Sequence, residues 1–265
     1  FPNIYRAPKG MADEDKIKYY VDNLEHMFVE AAPADSVAAI IFEPIQGEGG
    51  FVPAPIEWVK AVRQICDKHG ILMVTDEVQT GWSRSGSLFV SDYYKEAGCA
   101  PDIMTTAKSI AGGLPLSAVV AKKEIMDAVP AGTIGGTYCG NPLACASALK
   151  VMEVMEKEDY PGKAKKIGAI AMDKFNEWKE KYEVIGDVRG IGSMIGVEFV
   201  KDKATKEANA EIVGKIVNYA VKKGLMLEAA GTYGNVIRFL CPLCVTDEQL
   251  KKGLEIYEEA IVSCM

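Results

Sequence analysis

Two acidic residues and one lysine follow three successive apolar segments of the chain. Glu43, Asp76 and Lys108 each stand at the end of a strand-like run, and glycines flank all three. They are spaced roughly 30 residues apart, about the length of one strand–helix–strand unit. In an open parallel sheet, ligands bind beyond the carboxyl ends of the strands. The spacing therefore predicts that these three side chains meet at one edge of a sheet.

An aspartate and a lysine brought together in this way suit the chemistry of pyridoxal phosphate. The lysine holds the cofactor aldehyde as a Schiff base, and the aspartate pairs with the protonated ring nitrogen. That pairing keeps the ring cationic, so that it accepts electrons from a substrate carbanion. A single acid or lysine at a strand end is more often a solvated loop residue. Three in succession favour a site.

The segments around these residues alternate between strand-like and helix-like patterns. Apolar residues at three- and four-residue spacing predict a helix over 17–28 and another over 58–66 that ends at Gly70. Strands are predicted at 38–42, 71–75, 101–106 and 117–121. The first of these is expected to be buried on both faces. Strands separated by helices indicate a largely parallel sheet, so the predicted fold class is α/β.

From about residue 160 the pattern changes to that of a smaller α+β unit. The helix that starts at Asn141 is expected to end or kink at Pro161. Beyond it, the patterns predict a helix to 182, a strand at 194–200, a helix over 210–223, a strand at 236–240 and a helix over 247–261. The predicted division is a large domain over 1–159 and a small C-terminal domain over 160–265.

Composition argues against several classes of function. The chain has 265 residues and a formal net charge of −7 at pH 7, which is unlike a nucleic-acid binder that works through basic patches. Its longest apolar runs are strand-sized and too short to cross a membrane. Seven cysteines in a chain of this size predict reduced thiols and a cytoplasmic location. The two histidines have no acid or thiol at ligand spacing, so no metal site is predicted.

Four long motifs, in order along the chain, resemble those of the class III aminotransferases. They are FEPIQGEGG at 42–50, TDEVQTGWSRSG at 75–86, AKSIAGGLPLS at 107–117 and GGTYCGNP at 135–142, and NVIRFLCPL at 235–243 completes the set. The resemblance covers essentially the whole chain and is nearest to the members that act on 4-aminobutyrate. It implies a fold-type-I pyridoxal-phosphate transferase, with a mostly parallel sheet in the large domain and a smaller α+β C-terminal domain.

The resemblance implies a role for each matched residue of the cofactor site. Lys108 matches the lysine that forms the Schiff base, and Asp76 matches the partner of the pyridinium nitrogen. Gln79 matches the residue near the phenolic oxygen of the cofactor, and Val78, beside it in the same motif, is assigned to the cofactor as well. Thr137 matches the hydroxyl that reaches the phosphate of the neighbouring subunit's cofactor. A homodimer with shared active sites is therefore expected.

A second set of matched residues is assigned to the substrate. Arg238 matches the arginine that binds the α-carboxylate of glutamate, and Glu48 matches the acid that neutralises it when an ω-amino acid is bound. Such an exchange makes physical sense because an unpaired buried arginine is costly. Glu43 is expected close by. The implied reaction converts 4-aminobutyrate and 2-oxoglutarate to succinate semialdehyde and glutamate.

The resemblance also implies that chains of this family are considerably longer than this one. The sequence does not begin with Met, and no segment of it matches the family's phosphate-binding glycine-rich turn, ring-stacking aromatic residue or distal-carboxylate arginine. The large domain is therefore expected to be incomplete at its N-terminal side. Ser83, Ser85 and Cys139 depart from the family pattern at positions without a named role. Two alternatives stay open: transamination of ornithine or acetylornithine, and a catalytically incompetent fragment.

Three further motifs carry weaker implications. The glycines of 190–196 are spaced as GxGxxxG and lead into a predicted strand, whereas a dinucleotide-binding loop leads into a helix. Cys241 and Cys244 form one CxxC pair without a second pair, so a structural role is expected. The doublet of Asp76 and Glu77 lacks the further ligands that a metal site needs.

Overall fold

The computed structural model describes residues 1–265, which form eight α-helices and eleven β-strands. The helices are α1 (Asp13–Glu30), α2 (Ile56–His69), α3 (Ser91–Glu96), α4 (Lys123–Asp127), α5 (Pro142–Lys157), α6 (Tyr160–Lys181), α7 (Ala210–Lys222) and α8 (Asp247–Cys264). The strands are β1 (Ala39–Phe42), β2 (Ile45–Gln46), β3 (Val52–Pro53), β4 (Leu72–Asp76), β5 (Ile103–Thr106), β6 (Ala118–Ala121), β7 (Ile185–Ile191), β8 (Met194–Asp202), β9 (Glu207–Ala208), β10 (Glu228–Ala230) and β11 (Val236–Phe239). None of the helices is long and apolar enough to span a membrane.

The chain divides into two units. Unit 1 comprises Phe1–Pro44, Ala54–Ser83 and Ser87–Asp159, and unit 2 comprises Ile45–Pro53, Arg84–Gly86 and Tyr160–Met265. Of the two short segments that join unit 2, Arg84–Gly86 lies inside the motif at 75–86 and Ile45–Pro53 overlaps the motif at 42–50. Each motif therefore contributes residues to both units.

Unit 1 is built on a four-stranded sheet in the order β1-β4-β5-β6. β1, β4 and β5 are parallel, as predicted, whereas β6 pairs with β5 in the antiparallel direction. Helix α2 separates β1 from β4 and ends at Gly70, which has a φ of 68° and the left-handed conformation of a helix C-cap. The apolar side of α2 is buried, and its Trp58 ring lies 5.3 Å from that of Phe42 at the end of β1.

The prediction that the first strand is buried on both faces is wrong. Phe42 is buried, but Ile41, which points to the opposite face of β1, is 62% exposed. β1 lies at one edge of the sheet, and at the other edge Val119 and Val120 of β6 are also more than half exposed. The apolar run thus predicted the position of β1 correctly, but it did not predict that one face of this strand is exposed.

Unit 2 contains an antiparallel sheet in the order β10-β11-β8-β7, with β9 paired to β8, and a separate hairpin of β2 and β3. Helices α6, α7 and α8 supply the rest of its core. The aromatic rings of Phe175, Trp178, Phe239 and Tyr257 form the centre of this core, with centroids 5.1 to 5.7 Å apart. Residues 194–200 of β8 are all buried.

One local feature differs from the sequence prediction, and a second adds a strand that was not predicted. The break between α5 and α6 falls at 158–159, where Asp159 has a φ of 48°, and Pro161 lies in the first turn of α6. Proline is compatible with a first turn because its missing N–H has no helical partner there. The segment 190–196 forms a β-hairpin, with Gly192 at its turn between β7 and β8.

Candidate functional site

Asp76 is the last residue of β4, in unit 1. It lies opposite Thr105 of the parallel strand β5, and its carboxylate Oδ1 accepts a hydrogen bond of 3.0 Å from the backbone N–H of Val78. Glu43 directly follows β1, whose Phe42 pairs with Thr75, so it stands at the same sheet edge as Asp76. These two acids therefore stand at the carboxyl ends of the neighbouring strands β1 and β4.

Glu77, which the sequence analysis weighed only as half of a metal doublet, holds the loop that follows β4. Its buried carboxylate accepts from the Thr80 hydroxyl at 2.6 Å and from the backbone N–H groups of Val90 at 3.0 Å and Ser91 at 2.6 Å. A carboxylate satisfied by three donors is a strong local anchor. Glu77 is fully buried, whereas the adjacent Asp76 is only partly buried, and their positions in the sequence do not show this difference.

Gln79, in the same loop, leaves a buried acceptor without a donor. Its side-chain Oε1 is buried and has no hydrogen-bond partner. Such an atom costs about 1–3 kcal/mol unless a donor is supplied. Trp82 and Ser83 follow with φ of 62° and 74°, and the Trp82 indole N–H donates to the Thr106 hydroxyl at 2.8 Å. This bond ties the end of the loop to the end of β5.

Lys108 lies two residues beyond β5 and begins a short 3₁₀ turn over Lys108–Ala111. Its φ is 49°, a conformation that costs a residue with a side chain about 1 kcal/mol or more. Ile110 and Ala111 hold the turn because both are buried in a cluster with Trp82 and Ala148. The Lys108 side chain is exposed and is paired with no carboxylate.

Thr137 lies in an exposed loop between α4 and α5. No hydrogen bond joins it to the other residues predicted for the cofactor. The structure therefore places Asp76 at the end of β4, Val78 and Gln79 in the loop that follows, and Lys108 two residues beyond the neighbouring strand β5. Thr137 belongs to a different loop, between α4 and α5.

Arg238 and Glu48, the two residues predicted to form the carboxylate switch of the substrate site, lie in unit 2. Arg238 is in β11, and its side chain is only 10% exposed. Its Nη1 donates to Glu48 at 2.5 Å, and its Nη2 donates to Glu228 at 2.8 Å. Its Nε is buried without a partner, and its guanidinium lies 5.9 Å from the Phe51 ring centroid. The first acid, Glu48, was predicted from the sequence, whereas the second, Glu228, was not.

The turn that carries Glu48 is fixed at both of its ends by other parts of unit 2. The carbonyl of Glu48 accepts from the N–H of Gly231 at 2.9 Å. The carbonyl of Gly50, which has a φ of 104°, accepts from Nε and Nη2 of Arg189 at 3.1 and 2.8 Å. This φ disfavours any residue with a side chain, and a Cβ at position 50 would lie 3.1 Å from Arg189 Nη2.

Arg189 is in turn held by a buried acid that sequence reasoning did not find. Its Nη1 donates to Glu198 at 2.5 Å and to Asp187 at 3.0 Å, and the Glu198 side chain is only 2% exposed. Asn235, in the NVIRF motif, donates to the Phe199 carbonyl at 2.8 Å. These bonds join β7, β8 and the start of β11 beneath the turn that carries Glu48.

Asp102 supports the sheet of unit 1 from the start of β5. Its buried carboxylate accepts from Arg63 at 2.7 Å, from Lys122 at 2.6 Å and from the N–H of Met73 at 2.8 Å. Desolvation raises the pKa of this carboxyl, but the hydrogen bonds from Lys122, Met73 and Arg63 outweigh it and lower the pKa below its usual value.

Cys241 has contacts that fit a structural role. Its carbonyl accepts from Nη1 of Arg84 at 2.5 Å, and burial raises the pKa of its thiol. A raised thiol pKa disfavours the thiolate, which is the reactive form. Cys244, the second member of the CxxC pair, is exposed and free.

Comparisons with known proteins identify the family of this chain. The family model for aminotransferase class-III matches residues 1–261. The chain is 51% identical over 250 residues to 5-aminovalerate aminotransferase DavT of Pseudomonas putida, covering 94% of this chain and 57% of that protein. It is 42% identical over 257 residues to 4-aminobutyrate aminotransferase GabT of Escherichia coli, covering 97% of this chain and 59% of that protein.

The solved structures give the same result. An amine transaminase from an uncultivated Pseudomonas species, in the PLP-bound (internal aldimine) form, superposes with a TM-score of 0.90 at 34% identity. The match covers 100% of this chain and 61% of that one. The chain thus spans less than two thirds of the length of these proteins.

Proposed function

Since this chain belongs to the class III aminotransferase family, we propose that it carries the site of an ω-amino-acid transaminase. The proposed reaction transfers the amino group of 4-aminobutyrate to 2-oxoglutarate and yields succinate semialdehyde and glutamate. The fold is fold type I, in agreement with the sequence prediction. The observation that carries the proposal is the ion pair of Arg238 with Glu48.

This ion pair provides a way to accept two kinds of substrate at one site. Arg238 is nearly buried, so leaving it unpaired would be costly. When the substrate has an α-carboxylate, that group takes the place of Glu48 on the guanidinium. When the substrate is 4-aminobutyrate, Glu48 stays. Glu48 is 79% exposed, and it moves to water without burying its charge.

The residues of unit 1 fit pyridoxal phosphate as the cofactor. The unpartnered Oε1 of Gln79 would accept a hydrogen bond from the phenolic hydroxyl of the cofactor. The Asp76 carboxylate, which accepts a hydrogen bond from the Val78 N–H, would pair with the cationic ring nitrogen. When bound, the cofactor supplies an electron sink for the substrate carbanion. Asp76 keeps the proton on the ring nitrogen. The Lys108 amine holds the cofactor and moves the proton at the substrate carbon.

Borohydride reduction tests the cofactor assignment. The 265-residue chain is mixed with pyridoxal phosphate, reduced and mapped by peptide mass spectrometry. We expect a pyridoxyl group on Lys108 alone and its loss in Lys108→Arg. Lys123, an exposed lysine paired with Asp127, serves as the internal control. Label on another lysine would contradict the assignment, and the absence of selective label would favour the alternative of a catalytically incompetent fragment.

The amino donor is tested by comparing 4-aminobutyrate, 5-aminovalerate and ornithine. We expect both ω-amino acids to react with a higher kcat/KM than ornithine, because the relatives reported above are named for these two donors. The measurement is the absorbance of the cofactor in single-turnover mixtures with each donor. A clear preference for ornithine would replace this proposal with the ornithine alternative.

We also propose a homodimer, on the evidence of the segment that carries Thr137. Ile134 is 76% exposed, Tyr138 87% and Leu143 74%, an apolar surface of the kind that subunit contacts cover. In such a dimer the Thr137 hydroxyl reaches the neighbouring cofactor phosphate. Sedimentation equilibrium checks this, and Tyr138→Asp is expected to shift the protein toward monomer.

The cytoplasmic location remains a prediction based on the cysteine content.

A further inference from the structure

Arg238 has two carboxylate partners rather than one. Glu228 lies directly opposite Arg238 in the antiparallel pair of β10 and β11, and its Oε2 is 2.8 Å from Nη2. Glu48 occupies Nη1 of the same guanidinium. One positive charge therefore faces two negative charges, so this cluster carries a formal charge of −1 before any substrate arrives.

The two acids are held in different ways. Glu48 lies on the turn between β2 and β3, whereas Glu228 is fixed by the backbone hydrogen bonds of a strand pair. Directly opposed side chains in an antiparallel pair have their Cβ atoms about 5 Å apart and stay in contact. An α-carboxylate that displaces Glu48 consequently still meets the charge of Glu228.

We propose that Glu228 is a specificity-determining residue that weakens binding of substrates with an α-carboxylate and leaves ω-amino donors unaffected. The inference rests on the proposed function, because it assigns Arg238 to the α-carboxylate. The Glu228 carboxylate and a substrate α-carboxylate on the same guanidinium repel each other. Solvent weakens this repulsion because Glu228 is 66% exposed. Glutamate and 2-oxoglutarate encounter this charge, whereas 4-aminobutyrate and succinate semialdehyde have no carboxylate at that position.

The variant Glu228→Gln tests the proposal because it removes the charge and keeps the shape. We expect kcat/KM for glutamate to rise about threefold to fivefold, and kcat/KM for 4-aminobutyrate to stay within about 1.5-fold. Glu228→Leu is expected to act in the same direction. Glu207→Gln, which removes an exposed carboxylate paired with Lys201 in the same unit, is the matched control and should change neither value.

A binding measurement separates this proposal from the proposed function. Calorimetry on the 265-residue chain gives the dissociation constants of 2-oxoglutarate and succinate semialdehyde, which differ by the α-carboxylate alone. A selective gain for 2-oxoglutarate in Glu228→Gln supports the role of Glu228, even if no amino donor is turned over and the proposed function fails. Three outcomes would overturn it. The dissociation constants of both ligands change equally in Glu228→Gln, the dissociation constant of 2-oxoglutarate does not change, or neither the wild type nor the variant binds 2-oxoglutarate measurably.

Discussion

Lys108 in unit 1 and Arg238 in unit 2 are cations in opposite surroundings. Arg238 lies within a strand, is nearly buried and faces two carboxylates. Lys108 lies in a turn beyond a strand, is exposed and has no carboxylate partner. A paired cation such as Arg238 binds only those anions that can displace one of its carboxylate partners. An unpaired amine is available for reaction with a carbonyl. The two positions thus suit selection and chemistry, respectively.

The supports of the two cations differ in the same way. Arg238 lies in a sheet whose strand β8 is buried over residues 194–200, and unit 2 also contains an aromatic core. Around Lys108 the support consists of a few hydrogen bonds and small apolar contacts, and the sheet edges expose Ile41, Val119 and Val120. We therefore expect the apolar core to contribute most of the stability of unit 2. Single polar anchors such as Glu77 should contribute a larger share of the stability of unit 1.

The largest effect is expected from Phe175→Ala in unit 2. Phe175 is fully buried among Trp178, Phe239 and Tyr257, and its removal leaves a cavity. We expect the free energy of unfolding to fall by about 3–5 kcal/mol in urea titrations. The matched change Ile41→Ala in unit 1 should cost within about 0.5 kcal/mol, because that side chain is exposed. Equal losses for the two variants would contradict the comparison.

A smaller effect is expected from Glu77→Gln in unit 1. The amide keeps one acceptor but turns an NH₂ group toward donors, so the N–H groups of Val90 and Ser91 lose a charged partner. We expect a loss of about 2 kcal/mol in the free energy of unfolding and faster amide exchange in residues 77–91. Glu96→Gln, an exposed acid in α3, is the control. The anchor role would be refuted by exchange in this loop that matches the wild type.

The smallest effect is expected from Asp102, and it depends on pH. The folded protein holds the pKa of this carboxyl below its usual value of about 3.9. The folded state therefore favours the ionised form, and its stabilising effect is complete above that usual value and lost as pH falls through the lower folded pKa.

At pH 7 we expect Asp102→Asn to cost about 1–2 kcal/mol, with the difference from wild type shrinking below about pH 4. Thermal denaturation from pH 7 to pH 3 measures this change. Asp127→Asn, which removes an exposed partner of Lys123, should show little pH dependence of its difference from wild type. A penalty for Asp102→Asn that is constant with pH would mean that packing, not charge, supports β5.

The sequence predicted the elements well where local patterns are strong. α2 ends at Gly70 as expected, and β4, β5 and β6 lie where apolar runs indicated. β7 was missed because its residues, IGDVRGI, include two glycines and two charges that are atypical of a strand. It forms because β8 pairs with it along its length, apart from a register shift between Ile185 and Asp187, and because Ile185 is buried.

The sequence by itself identified the chemical groups: the motifs place Asp76 at the end of one strand and Lys108 just beyond the next. The resemblance named Glu48 and Arg238. Only the tertiary structure decided which acids surround the arginine. Glu48 and Arg238 are 190 positions apart in the chain, and Glu228 faces Arg238 because of strand register. Local propensity acts over a few residues, whereas register and burial depend on the whole unit. For this reason three features were not predicted: Glu228 beside Arg238, the contacts of Arg189 with Glu198 and Gly50, and the burial of Glu77.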